Sequence, residues 1–149
     1  MHALIQRVLK ASISVPETQY YQEIDSGLLV FLGIKDSDTK EDTEYVAEKC
    51  ANLRIFSDSN DKMNLSVIDV GGSVLVISQF TLYGDTRKGN RPSFIEAARP
   101  EEAILLYNHF LDSMSKKLGE SKIKSGVFGA MMQVSLINDG PVTISVYSK

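Results

Sequence analysis

Along residues 3–15, Leu9, Ala11, Ile13 and Val15 alternate with Lys10, Ser12 and Ser14, the period of two that marks a half-buried strand. Carried backward, that parity puts Ile5 and Arg7 on the apolar side. An arginine facing a core needs partners, because a lone buried charge is very costly; a bulge near Val8, turning it outward, is the alternative. Residues 17–24 read as a strand paired with the first. Residues 27–34 are apolar throughout, as expected of a strand covered on both faces. The period lengthens over 39–53, where Val46, Cys50 and Leu53 share one helical stripe. Asp38 or Thr39 caps that helix, with Glu41 or Asp42 three positions on completing a capping box. Residues 58–61 form a turn, and Gly71-Gly72 breaks the chain before a strand over 73–80.

A second helix is predicted from Pro100 to Leu118. Proline suits its first turn, Glu101 and Glu102 its positive end, Lys116 and Lys117 its negative end, and Gly119 ends it. Its buried stripe is Ala103, Leu106, Tyr107, Phe110, Leu111, Met114 and Leu118; His109 lies off the stripe, exposed and without an evident role. Strands at 131–137 and 142–147 close the chain, separated by Asn138-Asp139-Gly140-Pro141, which reads as a hairpin turn. The expected architecture is α+β: a single domain over 1–149, with a largely antiparallel, barrel-like sheet and two main helices.

Composition narrows the class. The chain has 149 residues, enough to bury a sizeable core without cross-links. Its one cysteine, Cys50, excludes an internal disulfide, and with only His2 and His109 beside it no Cys/His metal site is expected. No cofactor is implied. No apolar run reaches membrane-spanning length, and the start lacks a signal-peptide pattern, so a cytoplasmic protein with no membrane partner is expected. The net charge of −3 argues against a general nucleic-acid coat. The charge is nevertheless segregated: residues 36–48 are acidic, whereas 87–99 carry Arg87, Lys88, Arg91 and Arg99 against Glu96.

Two places break the local rules. Ser78-Gln79-Phe80-Thr81 ends the apolar run 74–77 and could line a pocket, or simply be a strand reaching solvent. Gly140-Pro141-Val142-Thr143 could be a purposeful feature or an ordinary hairpin. Residues 84–94 read as a long loop, a frequent seat of function. Neither a nucleophile elbow, a phosphate-binding glycine loop nor a dinucleotide fingerprint is present.

At these corners, and along nearly its whole length, the chain resembles the D-aminoacyl-tRNA deacylase family. The similarity runs through Gln6-Arg7-Val8, Asn52-Leu53-Arg54-Ile55-Phe56, Lys62-Met63-Asn64-Leu65-Ser66 and Ser78-Gln79-Phe80-Thr81-Leu82-Tyr83. It continues through Asp85-Thr86-Arg87-Lys88-Gly89, Arg91-Pro92-Ser93-Phe94 and Asn138-Asp139-Gly140-Pro141-Val142-Thr143. Gly84 stands where many members carry alanine. The resemblance implies a homodimer whose D-aminoacyl-tRNA site lies at the subunit interface, with Gly140-Pro141 a cis dipeptide entering the partner's pocket. It implies hydrolysis of the ester, rejection of the L side chain by a backbone wall, and passage of glycine, including glycine mischarged on tRNA-Ala. Ser78, Gln79, Phe80 and Thr81 would line the ester, with backbone N–H groups as oxyanion donors. Thr81 is the one candidate nucleophile but lacks a base; the family instead implies assistance from the terminal 2′-OH of the tRNA. Thr143 would support the pocket, and Arg7 would brace the Gly-Pro turn. Arg87, Lys88 and Arg91 would meet tRNA phosphates. The alternatives are another esterase or amidase using Thr81 or Ser78, and a nucleic-acid-binding module without catalysis.

Overall fold

A computed structural model describes residues 1–149. Its elements are β1 (His2–Val15), β2 (Tyr20–Ile24), β3 (Gly27–Gly33), α1 (Lys40–Asn52), β4 (Phe56–Ser57), β5 (Met63–Leu65), β6 (Ser73–Ser78), α2 (Pro100–Leu118), β7 (Ile123–Ser125) and β8 (Gln133–Tyr147). The main sheet runs β2-β1-β3-β6-β7, with β8 also paired to β1. Antiparallel pairs link β1 to β2, β3 and β8, while β3–β6 and β6–β7 are parallel. The sheet curls nearly into a barrel, and the Tyr20 hydroxyl of β2 donates to the Ser125 carbonyl of β7 at 2.8 Å across the opening.

The predicted alternation of β1 holds only in pieces. Ala3 and Ile5 are buried, then Val8, then Ala11, Ile13 and Val15, with register irregularities on both sides of Val8. The cause is that this strand serves two cores. Ala3 and Ile5 join the larger core beneath the helices, with Leu28, Val30, Val46, Cys50, Tyr107 and Phe110. Val8, Ala11 and Ile13 join a second core on the other face of the sheet, with Leu29, Leu75 and Ile77. Bulges transfer the strand from one to the other. Leu9, expected inside, is consequently 53% exposed. β3 and β6 feed both cores from their alternate faces, as the apolar run at 27–34 requires.

The helices follow their sequence signals. Thr39 caps α1: its hydroxyl accepts from the Asp42 N–H at 3.2 Å, and the Asp42 carboxylate accepts from the Thr39 N–H at 2.9 Å. Cys50 is fully buried, and burial pushes its thiol up to about 12. On α2 the Tyr107 hydroxyl donates to the Val76 carbonyl at 2.9 Å, fastening the helix to β6. His109, expected to be exposed, is instead mostly covered, its Nε2 3.1 Å from a Glu44 carboxylate oxygen of α1. The α-amino group of Met1 is buried against the Asp38 carboxylate and donates to the Ser148 hydroxyl at 2.7 Å. No helix is long and apolar enough to cross a membrane.

The hairpin expected at the C-terminal end does not form. Residues 133–147 make one strand, and both flanks of the turn sequence pair with β1. Thr143 lies opposite Gln6 and Asn138 opposite Val8, so Asp139–Val142 are thrown out of the ladder as an excursion facing Arg7. A turn sequence fixes a local reversal. The two flanks here bond to a common third strand, which no local signal reports.

Candidate active site

The first suspect segment sits at the end of β6. Ser78 is its last residue, paired in register with Leu32 of β3, and Gln79 donates its N–H to the Leu32 carbonyl at 2.8 Å. The predicted strand therefore stops two residues early, and Phe80–Tyr83 wind into a 3-10 turn. Gly33 makes this docking feasible: a Cβ there would lie 3.1 Å from Leu82 Cβ and 3.2 Å from the Gln79 carbonyl oxygen. Tyr83 anchors the far end of the turn edge-on to His2, with ring centroids 6.5 Å apart, while His2 stacks on Tyr147 at 4.2 Å. Burial raises the Tyr83 hydroxyl above the usual phenol range, and burial, aided by the Met1 ammonium, lowers the His2 imidazole. His2 and Gly33 carried no distinctive sequence signal, and Tyr83 only as the end of the Ser78–Tyr83 motif.

On the exposed side of the turn, Thr81 Oγ1 has one neighbour of consequence, Gln79 Nε2 at 2.5 Å. A carboxamide cannot take a proton from a hydroxyl whichever way it is turned, so nothing in this contact activates Thr81. Phe80 is 57% exposed and meets Phe94 edge-to-face, with centroids 5.1 Å apart. Phe94 belongs to the end of the loop expected over 84–94. Its neck is closed by two backbone hydrogen bonds between Asp85 and Ser93, at 2.8 and 2.9 Å. A Cβ at Gly84 would lie 3.0 Å from both the Phe94 ring and the Thr81 carbonyl oxygen, so an alanine there requires the ring to shift.

Beyond the neck, Arg87, Lys88 and Arg91 are exposed. Arg87 grips Asp85 with two bonds, Nε to Oδ1 at 2.9 Å and Nη2 to Oδ2 at 2.8 Å. Those bonds, with the Arg87 N–H, hold the Asp85 carboxyl down at about 2. Part of the basic loop is thereby neutralised from within.

The second suspect segment is the β8 excursion. The Gly140-Pro141 peptide is cis, and Gly140 and Pro141 are both exposed. Arg7 lies beneath them, its side chain only 11% exposed. Its Nε donates to the Asp139 carbonyl at 3.0 Å and lies 3.1 Å from the Asp139 carboxylate; Nη1 donates to the Ile55 carbonyl at 2.5 Å. The guanidinium also stands 6.0 Å from the Phe56 ring. A bulge beside Val8 and a partnered Arg7 thus occur together, where the sequence offered them as alternatives. The Thr143 hydroxyl accepts from Gln6 Nε2 at 3.1 Å. No cluster of His, Cys, Asp and Glu side chains could hold a metal.

The two segments are not brought together within one protomer. The 3-10 turn docks at Gly33, opposite His2, whereas the excursion leaves beside Gln6–Val8. That is four to six residues along β1, or roughly 13–20 Å.

Comparison with known proteins places this geometry. The family model described as D-Tyr-tRNA(Tyr) deacylase matches residues 4–147. A D-aminoacyl-tRNA deacylase of Flavobacterium johnsoniae is 52% identical over 149 residues, covering 100% of this chain and 98% of that protein. A solved structure described as a c-Myc DNA Unwinding Element Binding Protein superposes with a TM-score of 0.93 at 42% identity, over 100% of this chain and 99% of the other. A probable eukaryotic D-amino acid tRNA deacylase shares the fold at a TM-score of 0.85 and 16% identity, covering 97% and 98%. With both polar corners inside a match of this length, the chain belongs to the D-Tyr-tRNA(Tyr) deacylase family.

Proposed function

We propose that this protein hydrolyses the ester joining a D-amino acid to tRNA, and that the β8 excursion is the part that rejects L-amino acids. The observation that carries the reading is the excursion itself: two exposed residues projected from a continuous strand and braced from below by Arg7. Chirality is a choice of direction in which a side chain leaves Cα. A fixed backbone wall excludes one direction by collision, and exclusion discriminates where added contacts cannot. Glycine has nothing to collide, so glycyl-tRNA, including glycine mischarged on tRNA-Ala, passes the filter.

The roughly 13–20 Å between turn and excursion supports a site completed by two subunits, the excursion of one facing Ser78–Thr81 of the other. The outer edge of β8 is unpaired, and Met131 and Ile137 beside it are exposed apolar residues, features that favour association. In the pocket, Phe80 and Thr81 open the 3-10 turn and offer backbone N–H groups to the developing oxyanion, while that of Gln79 is committed to Leu32. Thr81 lacks a base, so assistance falls to the substrate. The 2′-OH of the terminal adenosine stands beside the scissile 3′ ester, with proximity built in. Water adds to the carbonyl carbon, the C–O bond breaks, and the 3′ oxygen leaves with a proton.

The deciding experiment follows ester loss from D-tyrosyl-tRNA and L-tyrosyl-tRNA. Loss of the D form alone is expected; loss of both removes the filter, and loss of neither overturns the enzyme reading. The name of the 42%-identical structure favours a second reading, DNA binding without catalysis. Against it stand the net charge of −3 and the internal pairing of Arg87. Tight duplex binding with no ester cleavage would establish it.

A further inference from the structure

The β8 excursion poses a mechanical problem. Asp139–Val142 leave the ladder between Asn138, opposite Val8, and Thr143, opposite Gln6. Arg7 holds the Asp139 end. At the other end Thr143 is back in the ladder, but Val142 itself has no partner on β1, and a wall whose last residue is unheld would discriminate less sharply between enantiomers.

One side chain closes that end. Asn138 Oδ1 accepts from the Val142 N–H at 2.8 Å, and Asn138 Nδ2 donates to the Val142 carbonyl at 3.2 Å. The same Nδ2 lies 3.3 Å from the Thr143 hydroxyl, which Gln6 also meets. Both backbone groups of Val142 are thus satisfied by a single carboxamide, the donor–acceptor pair that a neighbouring strand residue exchanges with its partner. Gly140 packs down onto this clasp. Its φ is +142°, and a Cβ there would come within 2.7 Å of Val142 Cγ2 and 2.9 Å of the Val142 nitrogen. Where Val142 sits therefore decides where Gly140 and Pro141 sit.

We propose that Asn138 is a positioning residue for stereochemical selection: its carboxamide acts as a one-residue strand partner for Val142 and so sets the reach and angle of the Gly140-Pro141 wall. This rests on the reading of the excursion as the filter. The role demands an acceptor and a donor in one plane on a short stem. A carboxylate supplies only acceptors and turns a negative charge toward the Val142 carbonyl. A protonated carboxyl regains the donor and with it the clasp. The charged groups beside it are Arg7 and Lys10 on β1 and Asp139 on β8, with Lys10 paired to Glu23 of β2 at 3.1 Å.

The test compares wild type, Asn138→Asp and Asn138→Ala in the full-length protein. Deacylation of D- and L-tyrosyl-tRNA is measured from pH 5 to 8. At pH 8 the D-over-L ratio of Asn138→Asp is expected to fall by about tenfold, the worth of one well-placed hydrogen bond. It should climb back as acid protonates the new carboxyl. Asn138→Ala should show the loss without the recovery, which separates positioning from general destabilisation. Because either variant can fold poorly, hydrogen exchange of the Val142 amide is read in wild type as well. Protection supports the clasp, and exchange at the rate of an open loop overturns it. A wild-type D-over-L ratio in Asn138→Asp at pH 8, or one pH profile common to both variants, also overturns it. Failure of wild type itself to discriminate would instead sink the filter reading and this inference with it.

Discussion

Arg7 shows how one residue can be read correctly for chemistry and incompletely for place. Alternation put a guanidinium on the apolar side, and physical chemistry then required partners, which the structure supplies as two backbone carbonyls and a carboxylate. The turn that carries Asp139 was the expected place for Arg7, whereas Ile55, remote in sequence, was not legible as a partner. Arg7→Ala should lower stability by about 2 kcal/mol, a charged hydrogen-bond network lost from a mostly buried site. It should also reduce D-over-L selectivity; a variant that melts earlier yet discriminates as wild type would confine Arg7 to a structural role. Thr81 teaches the opposite lesson. Its hydroxyl is exposed in the right turn, but its neighbour is an amide. Thr81→Ala is expected to keep single-turnover deacylation within about fivefold of wild type, whereas removing a true nucleophile costs on the order of 10⁴-fold or more. Leu9 was misplaced outright, since alternation counted from one end cannot register a bulge further along.

Among the elements, the helices were the most legible. Capping chemistry, end charges and a 3.6-residue stripe are local, and α2 begins at Pro100 and ends at Leu118 as predicted. The strands were legible as strands but not as partners. Nothing in 27–34 announces that β3 runs parallel to β6, and nothing in Asn138–Pro141 announces an excursion instead of a hairpin. The parallel pair depends on Gly27, where a Cβ would lie 1.8 Å from the Ser73 carbonyl oxygen. Gly27→Ala should therefore destabilise the fold by about 3 kcal/mol or more, measured by urea unfolding. The basic loop was legible as charge, not as charge partly spent on Asp85. Replacing Arg87 and Lys88 by glutamine should lower the slope of log tRNA affinity against log salt by about 1.5. An unchanged slope would remove the loop from the tRNA interface.

For the molecule as a whole, sequence and structure agree on two helices over a curled, mostly antiparallel sheet, with the candidate chemistry at two separate corners. On the proposed reading, a second subunit joins the corners. Ile137, 57% exposed on β8, is the residue to challenge. Ile137→Glu is expected to sediment as a folded monomer and to lose deacylation. A monomer with full activity would show that one protomer suffices.

The arrangement of β1 has a further consequence, for the order in which the chain can acquire its parts. One edge of β1 finds β2 and β3 within its first 33 residues, but the other edge waits for β8, which begins at residue 133. A chain emerging from the ribosome can gather the helices and most of both cores around β3 and β6 while that edge stays bare, with Val134, Val142, Ile144 and Val146 of β8 still to be added. Such distant pairing is slow, and an unpaired edge invites sticking. If the β8 excursion is the filter, as proposed, an unfinished chain presents the 3-10 turn but nothing to judge handedness. On that reading, stereochemical discrimination is the last property this polypeptide gains as it is made, and the first that a loosened β8 would give up.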